Sequence, residues 1–408
     1  MTKAKIGFIG TGGRSVAYSK YYAERDDMEI AAMADPKPEH RKAMAQTAGV
    51  TNEFEEYDDW REMAEKRTDL DAVVICSPNH VHADQAVTFL ERGLPIVLEK
   101  PIAITKHDCE RILEAERKGG GRTLVGFVLR SAPFYAGIHD LLRSNAIGQV
   151  FAIEADELIG WGVSSIVNRN EYKRFRKTYG SLILSKCCHD IDILNWMVDS
   201  RPTAVTSFGR RNIFNPNPSL PDTCDTCGVA DTCRYYKEPQ MAAEENRGDA
   251  VTFRFMRQNN DCIYNIEKDI IDSQSVQIEY ENGAMAQFMV ILNCAGPRAG
   301  RNFHAIGRKG RIWGSFHDHT VFHYDNDSGE TVKHECTVDD SGHGGADRVL
   351  ALELLTMIRN PAYQPIQSAR AGYLSALGCF AADRSRRETR RIDIAYDDRG
   401  RGQFVDTR

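Results

Sequence analysis

The sequence predicts an α/β protein, with an N-terminal doubly wound parallel sheet followed by a second domain. Three observations carry this. A glycine-rich loop joins a short apolar strand to helix-like sequence near residue 10. Strand-length apolar runs then alternate with helical segments as far as residue 128, the order that builds a parallel sheet with ligands at the carboxyl ends of its strands. Later runs, at 275–280, 284–292, 302–307 and 311–315, read as successive strands separated by turns at Asn282-Gly283 and Lys309-Gly310. A chain of 408 residues suits two or three domains at roughly 150 residues each.

Residues 5–9 form the first strand and lead into Gly10-Thr11-Gly12-Gly13-Arg14-Ser15. Gly10 permits the tight turn, and Gly12 lets the backbone approach a pyrophosphate. The following helix then offers free N–H groups and its positive dipole end to the phosphates. Gly13, Arg14 and Ser15 open that helix; Ser15 stands where a third Gly or Ala is usual and is still small enough to pack. A second strand, 28–34, ends at Asp35. A carboxylate there accepts hydrogen bonds from ribose hydroxyls and repels a 2′-phosphate, which points to NAD over NADP. Helices follow at 58–66, 84–92 and 105–118, with strands at 71–76, 95–98 and 123–128.

Composition narrows the function. Lys and Arg number 52 against 58 Asp and Glu, a net charge of −6, so a nucleic-acid or anionic-membrane surface is disfavoured. No run approaches the 18 or so apolar residues of a membrane span, and the first apolar run is too short for a signal-peptide core. A cytoplasmic protein is expected. Eleven cysteines argue against a disulfide framework. Three of them form a C-x2-C-x5-C cluster, Cys224, Cys227 and Cys233, in an irregular insert at 212–248. Soft thiolates at this spacing suit a structural Zn²⁺, with an iron–sulfur cluster as the lesser alternative. Cys262 is the preferred fourth ligand, with Cys187 or Cys188 as alternatives. His317, His319 and His323 fit scattered sheet positions better than a metal site.

Two strand ends carry conspicuous residues, Ser77-Pro78-Asn79-His80-Val81-His82 and Glu99-Lys100-Pro101. With the G-x-G loop, they make the chain resemble the glucose–fructose oxidoreductase/inositol dehydrogenase family (Gfo/Idh/MocA). The resemblance implies an NAD-binding Rossmann domain over 1–128. It also implies an α+β domain over 129–408, built on a large, open, mainly antiparallel sheet that pairs copies into homodimers or homotetramers. By the same resemblance Ser77, Asn79, His82, Glu99 and Lys100 surround the cofactor, and Lys100 contacts the reacting hydroxyl. An ammonium so placed stabilises developing alkoxide charge.

Residues 180–198 read as one helix, with Ser185, His189 and Asp192 on a polar stripe. The family's catalytic His matches His189. Its partner Asp, four residues earlier, is replaced by Ser185, which cannot act as a carboxylate base. Lys186 or Cys187 is the candidate substitute, with Lys100 and His189 sufficing by themselves as the alternative. Arg130, Trp161 and His343 are further substrate candidates: Trp161 as an apolar face for a sugar ring, His343 from its Gly-bracketed loop at a helix start. The expected activity is NAD(H)-dependent oxidation or reduction of a sugar or cyclitol hydroxyl, with a small-molecule carbohydrate as partner. The alternative is a redox-neutral NAD-dependent glycosidase that oxidises, eliminates, adds water and re-reduces. A non-catalytic NAD-sensing or zinc-stabilised binding protein is the third class.

Overall fold

The computed structural model describes residues 3–236, 260–339 and 342–405; Ser341 and residues 237–248 of the insert lie outside the described residues. Two compact units result: residues 1–133 with 338–376, and residues 134–337 with 377–408.

In the first unit six parallel strands lie in the order β3-β2-β1-β4-β5-β6. They are β1 (Ala4–Ile9), β2 (Met28–Ala34), β3 (Glu55–Tyr57), β4 (Ala72–Ile75), β5 (Pro95–Leu98) and β6 (Arg122–Val125). β4, β5 and β6 are buried along their whole length, as strands covered on both faces must be, so they read as unbroken apolar runs. The crossovers are α1 (Gly13–Ala23), α2 (Pro38–Ala48), α3 (Trp60–Lys66), α4 (His82–Leu90) and α5 (Lys106–Gly119). The strand order reverses between β1 and β4, which opens the ligand crevice outside their carboxyl ends.

The second unit holds a ten-stranded sheet ordered β14-β13-β12-β11-β7-β10-β9-β8-β15-β16. Its centre is β7 (Val150–Leu158), β8 (Pro202–Arg210), β9 (Ser273–Tyr280), β10 (Met285–Ile291) and β11 (Gly300–Gly307). Towards its two edges lie β12 (Gly310–Ser315), β13 (Thr320–Asp325), β14 (Thr331–Glu335), β15 (Ile392–Tyr396) and β16 (Gly402–Val405). Every pairing is antiparallel except β7 with β10, so the mainly antiparallel open sheet expected by resemblance is present. Helices α6 (Pro133–Arg143), α7 (Trp161–Arg169), α8 (Arg176–Tyr179), α9 (Leu182–Ser185) and α10 (Cys188–Val198) precede β8.

Two expectations need correction. The first is the division of the chain at residue 129, because residues 338–376 belong with the first unit. They carry α11 (Ala346–Arg359) and the start of α12 (Ala369–Glu388). Arg122, at the start of β6, donates to the carbonyls of Met357, Asn360 and Tyr363 at 2.8, 2.8 and 3.0 Å. A guanidinium thus caps the negative end of α11, and no periodicity in the sequence announces it. The second is the single helix over 180–198. It breaks after Ser185 and restarts at Cys188, with Cys187 in a non-helical conformation. Among the described residues no helix is long and apolar enough to cross a membrane.

Candidate functional site

In the first unit, Gly10 has φ +77°, and a Cβ there would stand 2.6 Å from the Ser77 backbone, so only glycine fits. A Cβ at Gly12 would meet nothing within 4 Å, which leaves room for a ligand to approach the loop. Gly12 is the N-cap of α1 and makes no side-chain cap; the Ser15 N–H turns back to the Gly12 carbonyl at 3.1 Å, and Gly13 and Arg14 open the helix at its positive end, where an anion is favoured. Ser15 is fully buried, its hydroxyl donating to the Gly12 carbonyl at 2.5 Å. Asp35 accepts the Thr11 and Lys37 N–H groups at 2.9 and 3.0 Å, which fixes its carboxylate beside the glycine loop. An uncapped helix start, an unobstructed loop and a carboxylate ending β2 together fit a dinucleotide.

The residues that follow β4 and β5 do not all face a ligand. His82 is fully buried, with Nδ1 2.9 Å from the Pro101 carbonyl and Nε2 2.9 Å from the Ser77 carbonyl. Burial pushes its pKa below the usual imidazole value. His82 therefore ties the two strand-end loops together through both ring nitrogens. Ser77 donates to Gln85 at 2.5 Å, and Asn79 opens a short helical turn.

Glu99 is buried and accepts from Arg14 Nε at 2.9 Å and from the Tyr18 hydroxyl at 2.6 Å. Burial opposes its charge, but Arg14 and Tyr18 outweigh that and hold the carboxyl below its ordinary value. Arg14 also donates through Nη1 to Asp347 at 3.0 Å, and Asp347 lies 3.0 Å from His343 Nδ1. The expected cofactor residue Arg14 is thus committed to two carboxylates. The run His343, Asp347, Arg14, Glu99 leads to Lys100, whose backbone N–H donates to Glu99 at 3.3 Å. His343 sits at φ +54° ahead of two left-handed glycines. Arg130 donates to the Ile366 carbonyl at 3.2 Å.

The second unit gathers another set. Ser185 donates to the Tyr179 carbonyl, so its hydroxyl is spent on backbone and the missing carboxylate is not replaced there. The break between α9 and α10 turns Lys186 onto Glu157, and Arg301 meets the same carboxylate at 2.8 Å. Arg301 Nε also donates to Asp190 at 2.6 Å. Burial pushes the Asp190 carboxyl up to about 6, against the pull of Arg301. His189 is buried beside this tetrad in sequence, and the polar stripe of α10 faces inward. Glu157, Cys187 and Asp190 approach closely enough to hold a metal ion, but Lys186 and Arg301 already match both carboxylates. Glu157 and Asp190 escaped the sequence reading. Their signal was phase: Glu157 shares the inward phase of Ile153 and lies directly across from Arg301 in register.

Trp161 begins α7 with the Arg234 guanidinium 3.2 Å from its ring centroid, so one ring face is already covered. Lys268 is buried, and its ammonium donates to the carbonyls of Ile263, Tyr264 and Ile266. Cys224, Cys227, Cys233 and Cys262 line one cavity; Cys187, at Glu157, is not among its lining residues.

Fold and loop together define an oxidoreductase with an NAD-binding Rossmann fold. Residues 4–127 match the description "Oxidoreductase family, NAD-binding Rossmann fold", and residues 135–313 match "GFO/IDH/MocA C-terminal domain". The chain belongs to the Gfo/Idh/MocA family. It is 28% identical to YteT of Bacillus subtilis over 342 residues, 76% of this chain and 78% of that one. It is also 28% identical over 197 residues to inositol 2-dehydrogenase of Salmonella typhimurium, spanning 48% of this chain and 54% of that enzyme. Levoglucosan dehydrogenase, solved with NADH and levoglucosan, shares the fold at TM-score 0.73 and 19% identity, covering 96% of this chain and 99% of its own.

Proposed function

We propose that the protein is an NAD-dependent dehydrogenase of a ring hydroxyl on a sugar or cyclitol. The observation that carries this is Lys100, which directly follows Glu99 at the carboxyl end of β5, the strand end where Arg14 and Tyr18 also meet Glu99. A bound NAD⁺ would supply the hydride acceptor for oxidation of the ring carbinol to a ketone. Lys100 takes the hydroxyl proton, or shields the alkoxide as that proton leaves. Gly12, the α1 N-terminus and Asp35 hold the dinucleotide; Asn79 and the Glu99 loop border its nicotinamide end. His189 and Lys186 of the second unit are assigned to the substrate's proton traffic, with Glu157 orienting Lys186. Arg130, Trp161 and His343 are assigned to substrate contact. The open sheet of the second unit leaves Phe208 and Met285 exposed, which supports pairing of copies into a dimer or tetramer. An intracellular, cytoplasmic setting accords with eleven cysteines outside any disulfide.

One observation favours a second reading. The Lys186–Glu157 couple adds an acid/base pair to Lys100 and His189, and a redox-neutral glycosidase would use such a pair for elimination and water addition. Net NADH formation from free polyols, followed by absorbance, separates the two. A dehydrogenase accumulates NADH; a glycosidase releases aglycone from an aryl glycoside and accumulates none.

A further inference from the structure

The insert of the second unit carries little regular structure among its described residues, yet four cysteines face one space, with no three of their sulfurs within 4.8 Å of one another. Cys224, Cys227 and Cys233 come from one stretch and Cys262 from another, and all four line a single cavity of about 20 Å³. That is room for roughly one water-sized guest. The two stretches are fastened backbone to backbone. Cys224 N–H donates to the Asn260 carbonyl at 2.8 Å, Cys262 N–H donates to the Asp222 carbonyl at 2.7 Å, and Thr223 pairs with Asp261. Asn265 adds a side-chain bond to the Leu220 carbonyl at 2.8 Å. All four thiols are free of disulfides.

Beside the cavity lies a buried cation, Arg169 at the end of α7. It donates to the Asp261 carbonyl at 3.1 Å and the Tyr235 carbonyl at 2.7 Å, and approaches Cys224 Sγ at 3.7 Å. Four thiolates on a divalent ion carry a net charge of −2, and a guanidinium against one sulfur offsets part of it. Among the described residues three rings, Phe214, Tyr235 and Tyr264, pack together with centroids 5.4 to 6.3 Å apart.

We propose that Cys224, Cys227, Cys233 and Cys262 bind one structural Zn²⁺. Soft thiolates, a C-x2-C knuckle and closure by four sulfurs select zinc over hard cations and leave no open catalytic position. Arg234 follows Cys233 directly and lies on Trp161, the first residue of α7. The ion therefore anchors the chain that sets this ring, and its loss loosens Trp161 without touching the dinucleotide loop.

The test is elemental analysis of the full-length protein purified from zinc-supplemented medium, coupled to mercurial titration with a colorimetric zinc chelator. About one zinc per chain is expected, released as roughly four thiols are modified. Cys227→Ser and Cys233→Ser should each lose most of the zinc, while Cys336→Ser, outside the cluster, keeps it. If the Ser variants do not fold, the titration of the unmodified protein decides alone. Less than about a tenth of an equivalent of zinc, or iron with acid-labile sulfide in its place, overturns the proposal.

Discussion

Arg14 and Asp347 are 333 residues apart in sequence and meet at 3.0 Å within the first unit. The contact draws the loop of His343 to the helix that opens the dinucleotide cradle. Burial favours the neutral acid, but His343 and Arg14 prevail and hold the Asp347 carboxyl at about 2. A double-mutant cycle between Arg14→Ala and Asp347→Ala, read by chemical denaturation, should return a coupling of roughly 1–2 kcal/mol. Additive single effects would mean that the pair does not bind the two segments together.

The dinucleotide loop is sterically unforgiving at Gly10. Gly10→Ala should abolish NAD binding in a fluorescence titration, because the added methyl meets the Ser77 backbone. Asp35→Ser, which removes the carboxylate held by Thr11, should weaken NAD by about tenfold and relax discrimination against NADP. Unchanged preference in that variant would remove Asp35 from ribose recognition.

Glu116 offers a pH signature of stability. Burial pushes its carboxyl up to about 7, although it accepts the Thr123 N–H at 2.8 Å. The folded pKa lies above the unfolded one, so the folded state binds the extra proton between about pH 4.5 and 7. The contribution of this group to stability falls across that window and stays low above it. Glu116→Gln keeps the acceptor and removes the charge, so it should stabilise the protein by roughly 1–2 kcal/mol at pH 8 and by little at pH 4.5. Equal effects at both pH values would contradict this.

Arg301 compensates two buried carboxylates at once, Glu157 and Asp190. Arg301→Ala should cost about 3–5 kcal/mol in unfolding free energy, since it strands both charges. Lys186→Ala leaves Arg301 in place and should cost less. The reverse ranking would show that Lys186, not Arg301, is the centre of the tetrad.

What the sequence revealed and what it hid follow physical lines. Local chemistry was legible: the positive φ at Gly10, the carboxylate ending β2 and the buried runs of β4 and β5 each depend on a few adjacent residues. The break at Lys186-Cys187 was not, because both halves share one apolar period and only contact with Glu157 explains the turn. Residues 338–376 were assigned to the wrong unit because the tie is a guanidinium, Arg122, on distant carbonyls. The motif singled out His82, but only the fold shows its ring held between two carbonyls.

The most direct measurement is NAD⁺ reduction at 340 nm across a panel of cyclic polyols and aldoses, with the unaltered protein and Lys100→Ala side by side. NADH should accumulate in step with one sugar or cyclitol, and the variant should lose about 10²–10⁴-fold in kcat while NAD still binds. No net NADH from any member of the panel, or an unchanged rate in Lys100→Ala, would contradict a dehydrogenase built around this lysine.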